Sequence, residues 1–472
     1  MKKAEELMSM FGVTTDDLKK LVKVALSKGG NYADIYFEHS ISNEINLRDS
    51  EANGAGTHID YGVGIRVLDG ESTGYAYTEI TTMEEMLKAA STAAAIANSS
   101  KSFYAEPSVS VTDFPERYKS LIPWTGIGFS ERVPALAELD ETIFKSDKRV
   151  VKVLAKISDS NTKILFFNSE GTLAADERPM ASIAVTCIMQ NNGRTENGSS
   201  SRSFRMGYEM ITKELIKEIA EEVVNKTSIQ FEAGRPSGGE MPVVMGAGSS
   251  GILLHEAIGH AFEADFNRMG TSIFSDKLGK KICSEDISVV DDGTIYSNRG
   301  SITFDDEGII SQKTYMVKDG VLNSYLHDRI SAEYYKTEPT GNGRRESFRF
   351  MPLPRMRTTY MESGKSKETD LIASVKKGIF VDNFSNGQVQ IGAGDFTFFV
   401  KSGYLIENGR LTRPVKDINI IGNGPEALAD IVGVADNSVI DNGTWTCGKE
   451  QYCAVSCGMP SVLVNKLTVG GV

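Results

Sequence analysis

The sequence is poor in histidine, cysteine and positive charge, and its apolar runs are short. Only five of its 472 residues are histidine and five are cysteine. Lysine and arginine total 51 against 63 aspartates and glutamates, a net charge of −12. A surface that acidic repels phosphate backbones, so no direct nucleic-acid binding is expected. The N-terminus, Met1-Lys2-Lys3-Ala4-Glu5-Glu6, opens on charges and lacks the apolar core of a secretory signal. The uncharged stretch from Met241 to Leu254 carries three glycines and falls short of the ~20 apolar residues that span a bilayer. These absences predict a cytoplasmic protein with no membrane segment. The cysteines Cys187, Cys283, Cys447, Cys453 and Cys457 are odd in number and lack a secretory context, which argues against a disulfide framework. Three of them crowd into the last 26 residues, and that clustering needs a chemical or a packing reason.

The length predicts two or three domains of the usual ~100–200 residues. In the first half, helical and strand-like segments alternate. A 3.6-residue apolar period with a Gly29-Gly30 stop predicts a helix from Thr15 to Lys28. Strand-like runs follow at 32–38, 44–48, 62–68 and 73–78, then a second helix from Thr82 to Asn98. A similar mixture spans 108–227: a helix near 135–145, strands at 150–157, 163–167 and 182–189, and a closing helix over 213–225. The breaker-rich segment 232–239 reads as a linker. Beyond it, Asp292-Gly293, Asp319-Gly320 and Asn408-Gly409 are turn signals between β-type runs, interrupted by one helix. The expected fold is α+β: a mixed α/β N-terminal domain over 1–231, then a β-rich C-terminal domain over 240–472 carrying one metal-binding helix.

That helix contains Leu254-His255-Glu256-Ala257-Ile258-Gly259-His260. Two histidines with a glutamate directly after the first suit a hydrolytic zinc site. Neutral imidazoles ligate the ion, an open position takes water, and the adjacent carboxylate serves as general base. The plainer reading, two ordinary histidines on a helix, is weakened by how few histidines the chain has. The spacing is i to i+5, however, so in a regular α-helix the two side chains diverge by ~140°. A π-bulge would return them to one face, and Gly259 is the residue expected to permit it. A third ligand is needed. Spacing leaves Glu263, Asp265, Cys447, Cys453 and Cys457 open, while His39, His58 and His327 read as surface or satisfied core positions.

The chain resembles the TldD/PmbA family. The landmarks are Tyr32-Ala-Asp-Ile-Tyr-Phe-Glu38, Gly62-Val-Gly-Ile-Arg66, Leu253-Leu-His-Glu-Ala-Ile-Gly-His260, Asp265-Phe-Asn-Arg268, Pro339-Thr-Gly-Asn-Gly-Arg-Arg-Glu-Ser347, Tyr404-Leu-Ile-Glu-Asn-Gly409, Cys447-Gly-Lys449 and Leu467-Thr-Val-Gly-Gly471. They cover nearly the whole chain, and the intact metal motif is that of the TldD branch. The resemblance implies a zinc-dependent metallopeptidase that cuts unfolded or flexible peptides, with His255, His260 and Cys447 as zinc ligands and Glu256 as the catalytic residue. It also implies a cavity completed by a TldE/PmbA-like paralogous subunit; a homodimer is the other arrangement. The chain departs from the family after Lys449, where Glu450-Gln451-Tyr452-Cys453 replaces the usual Gly-Gln pair and adds cysteines. The alternative function is a non-catalytic regulator, a DNA gyrase modulator with a structural zinc site.

Overall fold

In the computed structural model of the protein, residues 2–97, 104–390 and 392–471 are described. The first sheet is built from long antiparallel strands. Ser72–Thr78, Glu51–Asp69, Tyr32–Arg48, Val150–Asn168 and Thr172–Asn191 lie side by side in that order, and Arg194–Phe204 adds to the last of them. Sequence patterning divided two of these strands because it follows burial. Tyr32–Arg48 is buried near both ends and partly exposed in the middle, so it reads as two short runs although the ladder to Glu51–Asp69 continues through it. The two are joined by Asp49-Ser50, with φ of 55° and 61°, a tight hairpin turn whose twist matches the right-handed twist of the strands it joins.

Helices cover one face of this sheet. Leu18, Leu21 and Val22 of Thr15–Ala25 and Met86, Ala90 and Ala93 of Met83–Ala97 pack on Ile35, Phe37, Ile65 and Val67. Farther along, Leu136, Leu139 and Ile143 of Phe129–Ser146 and Ile219 and Val223 of Lys213–Ser228 pack on Val153, Ile157 and Ile183. Thr14 caps the first of these helices, accepting from the Asp17 N–H while the Asp17 carboxylate accepts from the Thr14 N–H. A preceding helix, Lys2–Phe11, escaped the sequence reading; it buries Leu7 and Phe11 against the same core. The expected end of the second helix at Asn98 lies outside the described residues. No described helix is long and apolar enough to cross a membrane.

The opposite face carries the even-numbered side chains Asp34, Tyr36 and Glu38, and it packs on the second half of the chain. Arg66 is fully buried there and bonds both Asp34 and, at 2.7 Å, Glu307. Phe348 lies directly over Gly62, where a Cβ would meet its ring at 2.3 Å.

In the second half, five strands close on themselves. Lys377–Val389, Gly239–Met245, Val462–Gly471, Ile418–Asn423 and Asp395–Glu407 pair in that order, and the last pairs back with the first. A separate six-stranded sheet includes Val289–Asp292, Thr358–Met361 and Ser456–Met459. The breaker-rich segment 232–239 is pinned rather than free: the Gly234 N–H donates to Pro414 O, its carbonyl accepts from Lys416, and Gly239 already begins a strand. The expectation of one helix in this half is corrected. Short helices also form at Ala264–Arg268, Arg329–Tyr335, Glu368–Ser374 and Gly424–Ala429, all too brief to show an amphipathic period. The histidine-bearing segment lies between the closed sheet and the six-stranded one, its Leu254 and Ile258 sharing a core with Val381, Phe398 and Met361.

Candidate metal centre

The histidine-bearing segment changes helical pitch twice. Gly251–Leu253 is an α-turn, Leu254–Gly259 a π-turn, and His260–Phe262 a 3₁₀ turn. The His260 N–H donates to His255 O, five residues back. That wider turn cancels the ~140° divergence of a regular helix and sets both imidazoles on one side. Gly259 serves a different purpose from the one expected. Its φ of −59° is ordinary for any residue. Glycine is required there by packing, because a Cβ would come within 2.3 Å of Met356 Sδ. Likewise, a Cβ on Gly251 would meet the Gly458 N at 2.3 Å, so the segment starts hard against the strand Ser456–Met459.

The two imidazoles meet edge to face, with ring centroids 5.0 Å apart. The short hairpin of Thr446–Cys447 and Cys453–Ala454 brings in a third group. His255, His260 and Cys447 each present a ligand atom, all within 4.8 Å of one another, and Cys447 Sγ lies 3.3 Å from His260 Nε2. All three residues are buried. Among the described residues, neither nitrogen of the His255 ring meets a partner at hydrogen-bonding geometry, although the ring is close enough to Cys447 to act on its thiol. Buried, unsatisfied nitrogens carry a desolvation cost, and a ligated ion would satisfy one of the two. Donor atoms on one tetrahedral zinc stand about 3.3–3.8 Å apart, and the Cys447 Sγ to His260 Nε2 separation of 3.3 Å is of that size. Burial alone would raise the Cys447 thiol, but the imidazoles of His255 and His260 outweigh it and hold the group down to about 4. The thiolate is the ligating form, and a divalent cation at this point would exert the same pull. The donor set therefore fits zinc.

Models of the PmbA/TldA metallopeptidases match the chain in three parts: domain 1 over 33–97, the central domain over 122–231 and the C-terminal domain over 238–471. A metalloprotease TldD homolog of Haemophilus influenzae is 38% identical over 98% of both chains. The chain belongs to the PmbA/TldD metallopeptidase family. A zinc metalloprotease TldD homolog of Saccharolobus solfataricus is 26% identical over 96% of this chain and 99% of its own. Among solved structures, a Thermotoga maritima protein described as a candidate modulator of a DNA gyrase superposes with a TM-score of 0.79, at 21% identity, over 97% of this chain and 100% of that one. TldE of Thermococcus kodakarensis does so at 0.75, with 19% identity, over 96% and 100%. At those identities the two structures establish the fold.

The groups around the trio explain two landmarks of this PmbA/TldD chain. His260 Nδ1 is 2.8 Å from Glu263 Oε2, which fixes the ring so that Nε2 faces Cys447. Burial works against the Glu263 carboxylate, but Lys449 and His260 hold it down to about 2. Lys449 Nζ lies 3.2 Å from Glu263 and 2.6 Å from Asp265. The Asp265-Phe-Asn-Arg268 and Cys447-Gly-Lys449 landmarks thus meet in one buried ion pair. Glu263 and Asp265, left open as third ligands, stand one layer outside the trio. Of the other two cysteines, Cys453 Sγ lies 3.5 Å from Arg355 Nη1, and Cys457 is enclosed in the core. Arg355 also donates to Cys447 O and Gln451 O at 2.9 and 3.0 Å, holding the hairpin from within. Nothing in local sequence marks Arg355 for that task. Glu256 is half-buried beside His255. His58 is exposed and pairs with Asp60, His39 stacks edge-on against Tyr61, and His327 is buried among Tyr325 and Tyr335.

Proposed function

We propose that this chain is a zinc-dependent metalloprotease that hydrolyses peptide bonds in unfolded or flexible peptides. The buried His255–His260–Cys447 trio, with the His255 nitrogens unsatisfied, is the observation that carries the reading. These three residues would hold the ion. Zinc supplies Lewis acidity, which acidifies a water and polarises a peptide carbonyl. Glu256 projects from the same turn beside His255. Its carboxylate takes the proton of the attacking water and passes it to the leaving amine. Glu263 and Lys449 keep the His260 ring in one orientation through the reaction. Around this centre we place the action in the cytoplasm, in a cavity completed by a TldE-like subunit. The 240–472 region supplies the chemistry and the 1–231 region walls the site. The superposition on TldE supports such a pairing of like-folded subunits.

A structural zinc in a gyrase-modulating protein would be closed by four ligands. The cysteines that could close this one lie elsewhere, Cys453 on Arg355 and Cys457 in the core. The deciding experiment measures zinc in the purified chain and cleavage of an unstructured peptide, with and without chelator, for the wild type and Glu256→Gln. We expect about one zinc per chain in both proteins. Cleavage should be lost on chelation and lowered by about 10²–10⁴-fold in the variant. A variant that keeps its zinc and cleaves within a few-fold of wild type ends the assignment of Glu256.

A further inference from the structure

A cleft of about 690 Å³ opens against Cys453 and Ala454 of the hairpin that carries Cys447, between the first sheet and the second half of the chain. Six guanidiniums line it against four carboxyls, Glu38, Asp60, Asp306 and Glu346. Three of the arginines are neutralised. Arg178 pairs with Asp306 at 2.6 Å, Arg349 with Asp60 at 2.6 Å, and Arg345 lies 3.5 Å from Asp34. The other three, Arg205, Arg299 and Arg344, are buried, at 6%, 8% and 6% exposure. Among the described residues their partners are carbonyls and hydroxyls. Arg205 donates to Pro179 O at 3.4 Å and lies over the Tyr118 ring, 5.4 Å from its centroid, and its Nε has no hydrogen-bond partner among the described residues. Arg299 donates to Trp445 O, Ser203 Oγ and Thr446 Oγ1, and Arg344 to Met356 O and Ala454 O.

Buried cations are ordinarily paired, and an unpaired one is costly. Three together, each repelling the others, cost more. Burial with the repulsion of Arg178 and Arg344 outweighs the pull of Tyr118 and Asp176 and pushes Arg205 down to about 10, and burial with the repulsion of Arg205 and Arg344 does the same to Arg299. A protein keeps such a cluster where an anion comes to meet it. The planar fork of arginine matches a carboxylate. Placement adds a second argument. Arg299 bonds Thr446, the neighbour of Cys447, and Arg344 bonds Ala454, which pairs with Thr446. Two of the three guanidiniums therefore bond directly to the hairpin that carries Cys447.

We propose that this cleft is a carboxylate-binding subsite of the same centre, in which Arg205, Arg299 and Arg344 receive an anionic group of the peptide beside the bond to be cut. The proposal rests on the protease reading and adds a specificity to it. Two sources offer that group, the α-carboxylate at a peptide C-terminus and the side chain of an aspartate or glutamate, and two pairs of peptides separate them. One pair shares a neutral sequence and ends in a free acid or an amide. The other is amidated and carries glutamate or glutamine near the middle. Cleavage of all four by the zinc-loaded wild type gives kcat and KM separately. Binding of the same peptides to zinc-loaded Glu256→Gln is followed by fluorescence anisotropy.

A charge-assisted contact of this kind is expected to lower KM and Kd by about tenfold or more for the anionic member of one pair. The terminal pair responds if the α-carboxylate is the ligand, the internal pair if a side chain is. Arg205→Gln should erase the discrimination, since Arg205 bonds no part of the hairpin. Equal KM and equal Kd within both pairs overturn the subsite, and wild-type protein alone suffices to show it if the variant does not fold. Failure of wild type to cut any of the four, with discrimination in binding intact, overturns the protease reading and leaves the subsite standing.

Discussion

At the scale of single residues, the centre depends on which thiol faces the two imidazoles. Cys447 Sγ lies beside His260 Nε2, whereas Cys453, its partner across the hairpin, has its sulfur on Arg355. Successive side chains on a strand alternate between faces, but directly paired residues share one, so register alone does not separate these two. Arg355 does, drawing one sulfur away. Cys447→Ser is expected to lower zinc content well below one per chain, and Cys453→Ser to leave it unchanged, by metal analysis after dialysis. The reverse pattern would move the third ligand to Cys453. Lys449 acts through Glu263. Lys449→Met leaves Glu263 and Asp265 buried without their cation, a loss of about 3–5 kcal/mol when a buried pair is broken. Urea unfolding should show that loss even in zinc-free protein, and a variant as stable as wild type would remove Lys449 from the network.

At the scale of the element, the π-turn Leu254–Gly259 converts an i to i+5 spacing into a shared face. Local propensity does not select this turn; packing on both sides does. Met356 sits against Gly259, and Gly458 against Gly251. Gly259→Ala places a methyl within 2.3 Å of Met356 Sδ, and Met356 is itself fully buried. Overpacking of this kind costs about 1–3 kcal/mol. Denaturant melts of the variant should show that loss together with weaker zinc retention, because the methyl pushes on the turn that aligns the ligands. A variant with wild-type stability and wild-type zinc would mean that Met356 swings aside freely.

At the scale of the whole molecule, the polar face of the first sheet meets the second half of the chain through buried charge. Burial pushes Glu38 up to about 8 from an ordinary value of 4.5, although it accepts the Phe348 N–H at 2.8 Å. A carboxyl raised in the folded state binds its proton there over a pH range in which the unfolded chain has released it. Its contribution to stability is therefore full below about 4.5 and declines as pH rises toward 8. Glu38→Gln removes that decline. The difference in Tm between Glu38→Gln and wild type should shift in favour of the variant from pH 5 to pH 8.5. A difference that stays constant would show that Glu38 ionises normally.

Much of this protein could be read from its sequence. The amphipathic period of Thr15–Ala25 and Lys213–Ser228 and the Asp319-Gly320 and Asn408-Gly409 turns are local signals, set by side-chain patterning and by backbone freedom at single residues. The His255-Glu256…His260 spacing predicted a distortion between the ligands because helical geometry leaves no other way to align them. Strand lengths were not legible, since Tyr32–Arg48 and Val150–Asn168 run through partly exposed stretches where alternation fades. Spacing left the third ligand open and the family resemblance pointed to Cys447, but its approach to His260 required the hairpin, the role of Gly259 required Met356, and the neutralisation of Lys449 required Glu263 and Asp265 to be packed beside it. Each of these depends on residues far apart in the chain. Composition and spacing determine which chemistry is available. Only the packing of two sheets around one short helix decided which atoms meet, because burial and ion pairing are properties of neighbours in space.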